Sequence, residues 1–335
     1  MAQYGGISGA RQEAEKRILD KPNVVGVGIG FKQVGGLLTD QISIVVLVRD
    51  KVPRAGLSAN DMVPAQVDSI PTDVVEVGVL RALQARTDRW RPAPGGVSIA
   101  HYKVTAGTLG AVVRDRTTGQ RLILSNNHVL ANSNDAMPGD PILQPGPIDG
   151  GTQPADVIAR LERFIPITFS VSPGTCSAAD AYAMLGNLAA RLVGSSHRLA
   201  TFKMQAEATN EVDAAVARPE NDANVLDEIL DIGTVAGTVD PALGMPVTKS
   251  GRTTGHTNGT VTVLEATVDV SYGIGQTARF VNQAVTTPMS EGGDSGSLVV
   301  SVETQQATGL LFAGSSQATI FSPIRAVLDA LEITI

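Results

Sequence analysis

At 335 residues, 43% of them apolar, the chain is long enough to bury a substantial core, and its composition excludes an intrinsically disordered polymer. A net charge of −7 with no long basic run argues against a nucleic-acid partner, because neutralising a phosphate backbone takes clustered Lys and Arg. No window offers the roughly eighteen uninterrupted apolar residues of a spanning helix. The opening MAQYGGISGARQEAEKRIL lacks the apolar stretch of a secretory signal, so a soluble, cytoplasmic chain with no membrane partner is expected.

The first predicted element is a helix over residues 8–19 (SGARQEAEKRIL), opened by a capping Ser. From Val24 onward short Val/Ile/Thr-rich runs alternate with Gly, Pro, Asn and Asp, the pattern of short strands joined by turns. Residues 23–32 (NVVGVGIGFK) and 41–51 (QISIVVLVRDK) form the first pair of strands around a turn at Gly35 and Gly36, followed by VPAQVDSIPTDVVEVGV over residues 63–79. The run Gly26-Val-Gly28-Ile-Gly30 is not a dinucleotide loop, because another strand follows it and no helix N-terminus is available to a phosphate. Residues 85–96 (ARTDRWRPAPGG) interrupt the alternation with prolines, glycines and arginines and are expected to be a linker. This divides the chain into a small α/β accessory unit over residues 1–84 and a mainly β domain over residues 97–335. Later helices are expected over residues 177–193 and 322–331, the second opening Ser-Pro. The one cysteine, Cys176, rules out an internal disulfide, which fits a reducing compartment; without a neighbouring His or basic residue it is given no role.

The stretch EGGDSGSLVV, residues 291–300, offers Ser295 as a nucleophile if the chain supplies a base, a carboxylate and amide donors for an oxyanion. His101, His197 and His256 sit in a post-linker segment, a polar connection and a turn, and read as ordinary polar residues. His128 is different: it follows the apolar run in RLILSNNHVLA, at the end of a strand, where a rigid scaffold can aim its ring into a cleft. Asp213 in NEVDAAVARP is an acidic residue on what reads as a buried strand, a costly position unless something pairs with it. Gly292 and Gly293 permit a tight turn that points the amides of Gly293 and Ser295 at one spot.

These residues resemble the motifs of trypsin-like, chymotrypsin-fold serine proteases: SNNHVLA the histidine motif, VDAAV the aspartate motif and GGDSGSLV the nucleophile motif. KSGRTTGHTNGTV, residues 249–261, is similar to a hairpin of the bacterial alpha-lytic type, and GGVSI with GTLGAVV to that group's mature start. LSNNHVL, LQPGP and GLLFAGS also resemble plant NARROW LEAF-type proteases and their bacterial relatives. The resemblance runs from about residue 95 to 335. It implies two six-stranded antiparallel β-barrels with the catalytic residues between them. Ser295 would be the nucleophile, His128 the general base, Asp213 its orienter, and the amides of Gly293 and Ser295 the oxyanion hole. The pattern departs in Ser297, where a second glycine is usual, and in Thr248 and Asn258, where alpha-lytic-type members place a hairpin disulfide. A helical insertion over about residues 165–210 has no catalytic counterpart and reads as a packing or oligomer-contact element, leaving a homo-oligomer open.

The resemblance places Met289, Ser290, Glu291, Phe312, Ala313 and Gly314 around the substrate side chain before the cleaved bond, with Met289 at the pocket base favouring an apolar residue and Glu291 at the rim favouring a basic one. The expected activity is a cofactor-free, metal-free serine endopeptidase acting on protein or peptide, with a small or medium apolar side chain preferred before the cleaved bond. The rival is a latent homologue that uses the same fold to bind peptides. A zinc hydrolase lacks any HExxH or paired Cys/His spacing, and an α/β-hydrolase lacks G-x-S-x-G. The N-terminal unit reads as a permanent structural domain rather than a released pro-segment.

Overall fold

The computed structural model describes residues 2–78, 80, 84–173, 176–205, 208–273 and 275–335, so the last residue of the stretch expected over 63–79 and short parts of the 165–210 insertion lie outside it. The chain forms two compact units, Met1–Gln84 and Ala85–Ile335. Among the described residues no helix is long and apolar enough to cross a membrane.

In the first unit the helix starts earlier than its sequence suggests, at Ala2–Leu19, and buries Ile7, Ala10, Ala14 and Ile18, one stripe at three- and four-residue spacing. That stripe meets Ile44, Val46, Val48 and Val67 of a four-stranded sheet. The strand Val24–Val34 pairs antiparallel with Leu37–Val48, which in turn runs parallel to Ile70–Glu76. Gly26 and Gly30 sit within this ladder, where an added Cβ would crowd Leu47 and Val45, so these glycines serve close strand packing.

The second unit is mainly β, built on two large antiparallel sheets, each curled on itself. In the first, hydrogen bonding follows the order Ala111–Asp115, Arg121–Ser125, Ala215–Pro219, Val157–Phe164, Pro141–Leu143, Ser98–His101, with Ile333–Thr334 and Gly107–Thr108 at the two ends. The chain from Gly107 runs on into Ala111–Asp115 while Leu109 exchanges bonds with Gly96 and Val97, so one bent strand borders both edges and closes the ring. The second sheet follows Gln276–Thr286, Gly255–Gly273, Pro246–Gly251, Leu298–Ser301, Ala307–Gly314, Thr319–Pro323, and the last of these pairs back onto the first. Two short strands, Val171–Pro173 and Phe202–Met204, are appended beside Gln276–Thr286. Closure by continuous pairing removes the open edges that would otherwise invite aggregation.

Apolar side chains of both sheets, including Val113, Leu124, Val300 and Leu310, meet Ile324, Val327, Leu328 and Leu331 of the C-terminal helix Ile324–Leu331 in one core. Residues 85–96 are not the free linker their composition suggests. Ala93–Gly95 forms a strand beside Val225–Ile229, and Arg86 donates to the Gly96 carbonyl and Ser250 Oγ and pairs with Asp231. Proline and arginine discourage regular structure only where nothing satisfies them; here the backbone finds a parallel partner and the guanidinium finds acceptors. The insertion contains the helix Ser177–Leu192, none of whose described residues is buried.

Candidate active site

The strand Arg121–Ser125 passes into a single helical turn, Asn127–Leu130, which lifts His128 out of the first sheet at the mouth of a cleft. Leu122, Ile123, Leu124, Val129 and Leu130 are buried on either side, so the turn carrying the imidazole is anchored by core packing. Asp213 lies just before the strand Ala215–Pro219, which pairs with Arg121–Ser125, and this pairing brings two residues 85 apart in sequence into contact. His128 Nδ1 stands 2.6 Å from Asp213 Oδ2, and the His128 amide donates to Oδ1 at 3.3 Å. Asn126 Nδ2 also donates to the Asp213 carbonyl. Asp213 is 1% exposed, and a carboxylate so placed is stable only with such donors. Because a carboxylate accepts, the Nδ1 proton belongs to the histidine, which leaves Nε2 as the basic nitrogen.

A further donor to Asp213 was not legible in the sequence. Tyr272, near the tip of the hairpin formed by Gly255–Gly273 and Gln276–Thr286, donates its hydroxyl to Asp213 Oδ2 at 2.7 Å. Its ring stands edge-on to His128, with centroids 5.7 Å apart. Burial, followed by the negative carboxylate, pushes this phenol well above its ordinary range, so it stays protonated and keeps donating.

Ser295 lies in the turn leading into the strand Leu298–Ser301. The turn uses left-handed backbone at Gly293 (φ +98°) and Gly296 (φ +93°), conformations that glycine adopts without a Cβ penalty. Its carboxylate clamp is Asp294, fully buried, which accepts from the amides of Glu291 (2.9 Å), Thr253 (2.8 Å) and Thr254 (3.1 Å) and from Thr254 Oγ1 (2.6 Å). Lys249 Nζ, equally buried, completes the clamp 3.2 Å from Asp294 Oδ2. Burial raises the pKa of Asp294, but the hydrogen bonds from Thr254 and Glu291 together with the Lys249 charge outweigh it and hold the carboxyl below its usual value. Burial lowers Lys249 below the ordinary lysine value, and Asp294 offsets only part of that. From the first sheet, Thr108 donates its amide to the Ser295 carbonyl at 2.8 Å and its hydroxyl to the Gly293 carbonyl at 2.9 Å, tying the turn to the opposite wall. Among the described residues the amides of Gly293 and Ser295 have no hydrogen-bond acceptor.

His128 and Ser295 line one cleft of about 880 Å³, with Ser290, Glu291, Phe312, Ala313, Gly314 and Tyr272 also on its walls. Ser295 Oγ has the Phe312 carbonyl as its hydrogen-bond acceptor, at 3.4 Å, rather than His128 Nε2. Met289, expected at the pocket base, is not among the residues that line the cleft. It is 4% exposed and packs into the second ring's core with Val247, Val261 and Leu311, while the next two residues, Ser290 and Glu291, line the cleft. Ser290 Oγ instead bonds Thr319 Oγ1 at 2.8 Å, and Glu291 is exposed. The remaining histidines are satisfied elsewhere: His101 is buried beside Asp140, His256 is 2.8 Å from Thr248 Oγ1, and His197 is exposed. Thr248 and Asn258 sit directly opposite each other in the hairpin ladder.

No family model and no curated protein matches the chain. Similar solved structures include Thermobifida fusca protease A and a Nocardiopsis protease, each at 18% identity over 72% of this chain and 98% of that chain, with a TM-score of 0.45. A glutamic acid-specific serine protease aligns at 19% identity over 72% of this chain and 100% of that one, with the same TM-score of 0.45.

Proposed function

We propose that the protein is a serine endopeptidase in which Ser295 is the nucleophile, His128 the general base and then acid, and Asp213 its orienting carboxylate. The observation that carries this is the 2.6 Å bond between His128 Nδ1 and buried Asp213, made on a cleft whose other wall carries Ser295. A carboxylate buried against Nδ1 fixes the ring's tautomer, leaves Nε2 free to accept a proton and supports the positive charge the ring then carries. In the reaction Nε2 takes the Ser295 proton as Oγ attacks the scissile carbonyl. The oxyanion that forms is met by the amides of Gly293 and Ser295, which have no competing acceptor among the described residues. The imidazolium then gives its proton to the departing amine. Water repeats the sequence in reverse to release the acid from the ester on Ser295. Pairing of Ala307–Gly314 with Leu298–Ser301 ends at Leu310, and beyond Leu311 the backbone of Phe312, Ala313 and Gly314 lies on the cleft wall, where it suits an extended peptide added as a strand. Beside Ser295 the lining combines Ser290 and Gly314 with the apolar Leu311, Phe312 and Ala313 and has Glu291 at the rim, which suits a small or medium apolar side chain before the cleaved bond.

A peptide-binding reading has one observation in its favour, the Ser295 hydroxyl turned to the Phe312 carbonyl. Such bonds are often loose in empty sites and tighten only with substrate. A fluorophosphonate probe separates the two. The intact chain is expected to label covalently, and Ser295→Ala and His128→Ala to lose the label. A folded intact chain that takes no label would sink the protease reading and leave the binding one.

A further inference from the structure

We propose that Tyr272 is a positioning residue for the His128–Asp213 pair: its hydroxyl holds the carboxylate and its ring braces the imidazole, so the hairpin tip that carries it is a working part of the site. This rests on the protease reading above, but it makes a claim about the pair itself that can be read without turnover.

Two contacts to the pair and two that fix the Tyr272 ring support it. The hydroxyl donates to Asp213 Oδ2 at 2.7 Å, the same oxygen that faces His128 Nδ1 at 2.6 Å, so one carboxylate oxygen is held from both sides and cannot rotate away from the ring. The phenol ring meets the imidazole edge-on at 74°, which closes the flank through which His128 would swing. Tyr272 is itself fixed: Phe169 packs against its other edge at 5.7 Å and Phe280 lies 6.2 Å away.

The hairpin is also tied to the strand of chain that ends in Asp213. Asn210, three positions before it, exchanges backbone bonds with Arg279 and Val281, and Gln283 Nε2 donates to the Glu211 carbonyl at 2.8 Å. At the tip, Ser170 donates both its amide (2.8 Å) and its hydroxyl (3.0 Å) to the Thr277 carbonyl, and Val171 pairs with Thr277. Tyr272 and Asp213 therefore lie on two segments laced together, and the start of the helical insertion braces the tip. Any buried phenol needs an acceptor, but this one takes the same carboxylate oxygen that faces His128 Nδ1, so the bond that satisfies the hydroxyl also fixes the group that orients the histidine.

The test compares Tyr272→Phe, which keeps the ring and removes the hydroxyl, with Tyr272→Leu, which removes both, in the full chain. Two readouts are taken: the fluorophosphonate labelling rate at increasing probe concentration, and the His128 Nδ1 proton resonance in histidine-labelled protein. For Tyr272→Phe the limiting labelling rate is expected to fall on the order of ten-fold, the scale of one hydrogen bond to a charged group, with half-saturation by probe unchanged. The Nδ1 resonance should move as Asp213 loses its second donor. Tyr272→Leu should fall further and also broaden that resonance. A Phe variant with wild-type limiting rate and an unmoved Nδ1 proton overturns the proposal. Should the intact chain take no probe at all, the protease reading fails on that result, while the Nδ1 resonance of the two variants still decides the role of Tyr272.

Discussion

Replacing Lys249 by Met removes the ammonium from a fully buried pair while keeping the length of the side chain. In the native chain Nζ lies 3.0 Å from the Gly255 carbonyl and 3.2 Å from Asp294 Oδ2, and it also meets Thr254 Oγ1. Breaking a buried pair from one side typically costs about 3–5 kcal/mol, because the other charge stays behind in a poorly solvating place. Asp294 keeps four donors, the amides of Glu291, Thr253 and Thr254 and the Thr254 hydroxyl, so the low end, about 3 kcal/mol, applies. For a unit of this size that is roughly a 6–12 °C fall in the unfolding midpoint. The same loss should reach the chemistry, since Asp294 adjoins Ser295 and fixes the turn whose amides face the cleft; fluorophosphonate labelling is expected to slow at temperatures where the variant is still folded. Circular dichroism melting and timed labelling on the same samples check both parts. A variant that melts within a degree or two of the native chain and labels at its rate would refute the idea that the Lys249–Asp294 pair holds the nucleophile turn.

Gly296→Ala should be among the most damaging single changes at the site, because a Cβ there meets Ser125 Oγ and the Thr108 carbonyl at a backbone φ of +93°. A loss of at least about 2 kcal/mol in urea unfolding is expected, and a neutral result would mean that the turn is less tightly packed against the first sheet than described. Acid should destabilise the fold over a definite range. The amide of Thr118 holds Asp115 at about 2, Arg279 holds Asp269 below its ordinary value, and at Asp140, Asp156 and Asp294 hydrogen bonds outweigh the upward push of burial. With folded-state values below unfolded ones, the unfolded chain binds protons first, so the stability these groups contribute is complete above pH ~5 and drains between about pH 4 and 2. Urea midpoints measured from pH 6 to 2 should show that fall, and a flat series would contradict it.

How far the site was legible in the sequence depended on whether a residue's role was written in its own neighbourhood. His128 stands out because the apolar run before it ends where its ring begins, and Asp213 because an acid beside AAVA is hard to place except against a donor. The glycines around Ser295 announce a backbone that only glycine tolerates, and the structure uses that freedom at Gly293 and Gly296. Tyr272 carried no such mark. It sits 59 positions from Asp213 in VDVSYGIGQ, a polar hairpin tip, and only the pairing of Asn210 with the strand Gln276–Thr286 brings the two together. Lys249 was hidden for a different reason: in sequence a lysine looks solvated, and its complete burial follows from the Asp294 carboxylate arriving from a distant turn. Met289 carries no mark in sequence of which way its side chain turns; it packs with Val247, Val261 and Leu311 and is absent from the cleft lining, which only the folded chain shows. Residues 85–96 misled because a parallel partner, Val225–Ile229, lay more than a hundred positions away. Local chemistry thus named the candidate nucleophile, base and carboxylate, whereas the groups that hold them in register, Tyr272, Lys249 and Thr108, are products of closure: each acts across a gap that exists only once the sheets have curled. That asymmetry gives the functional reading its sharpest exposure to experiment. A chain in which Tyr272 serves packing alone would keep its labelling rate and its Nδ1 resonance in Tyr272→Phe, and one that uses the hydroxyl would not; Lys249→Met costs stability in either chain and separates them only through labelling of the folded variant.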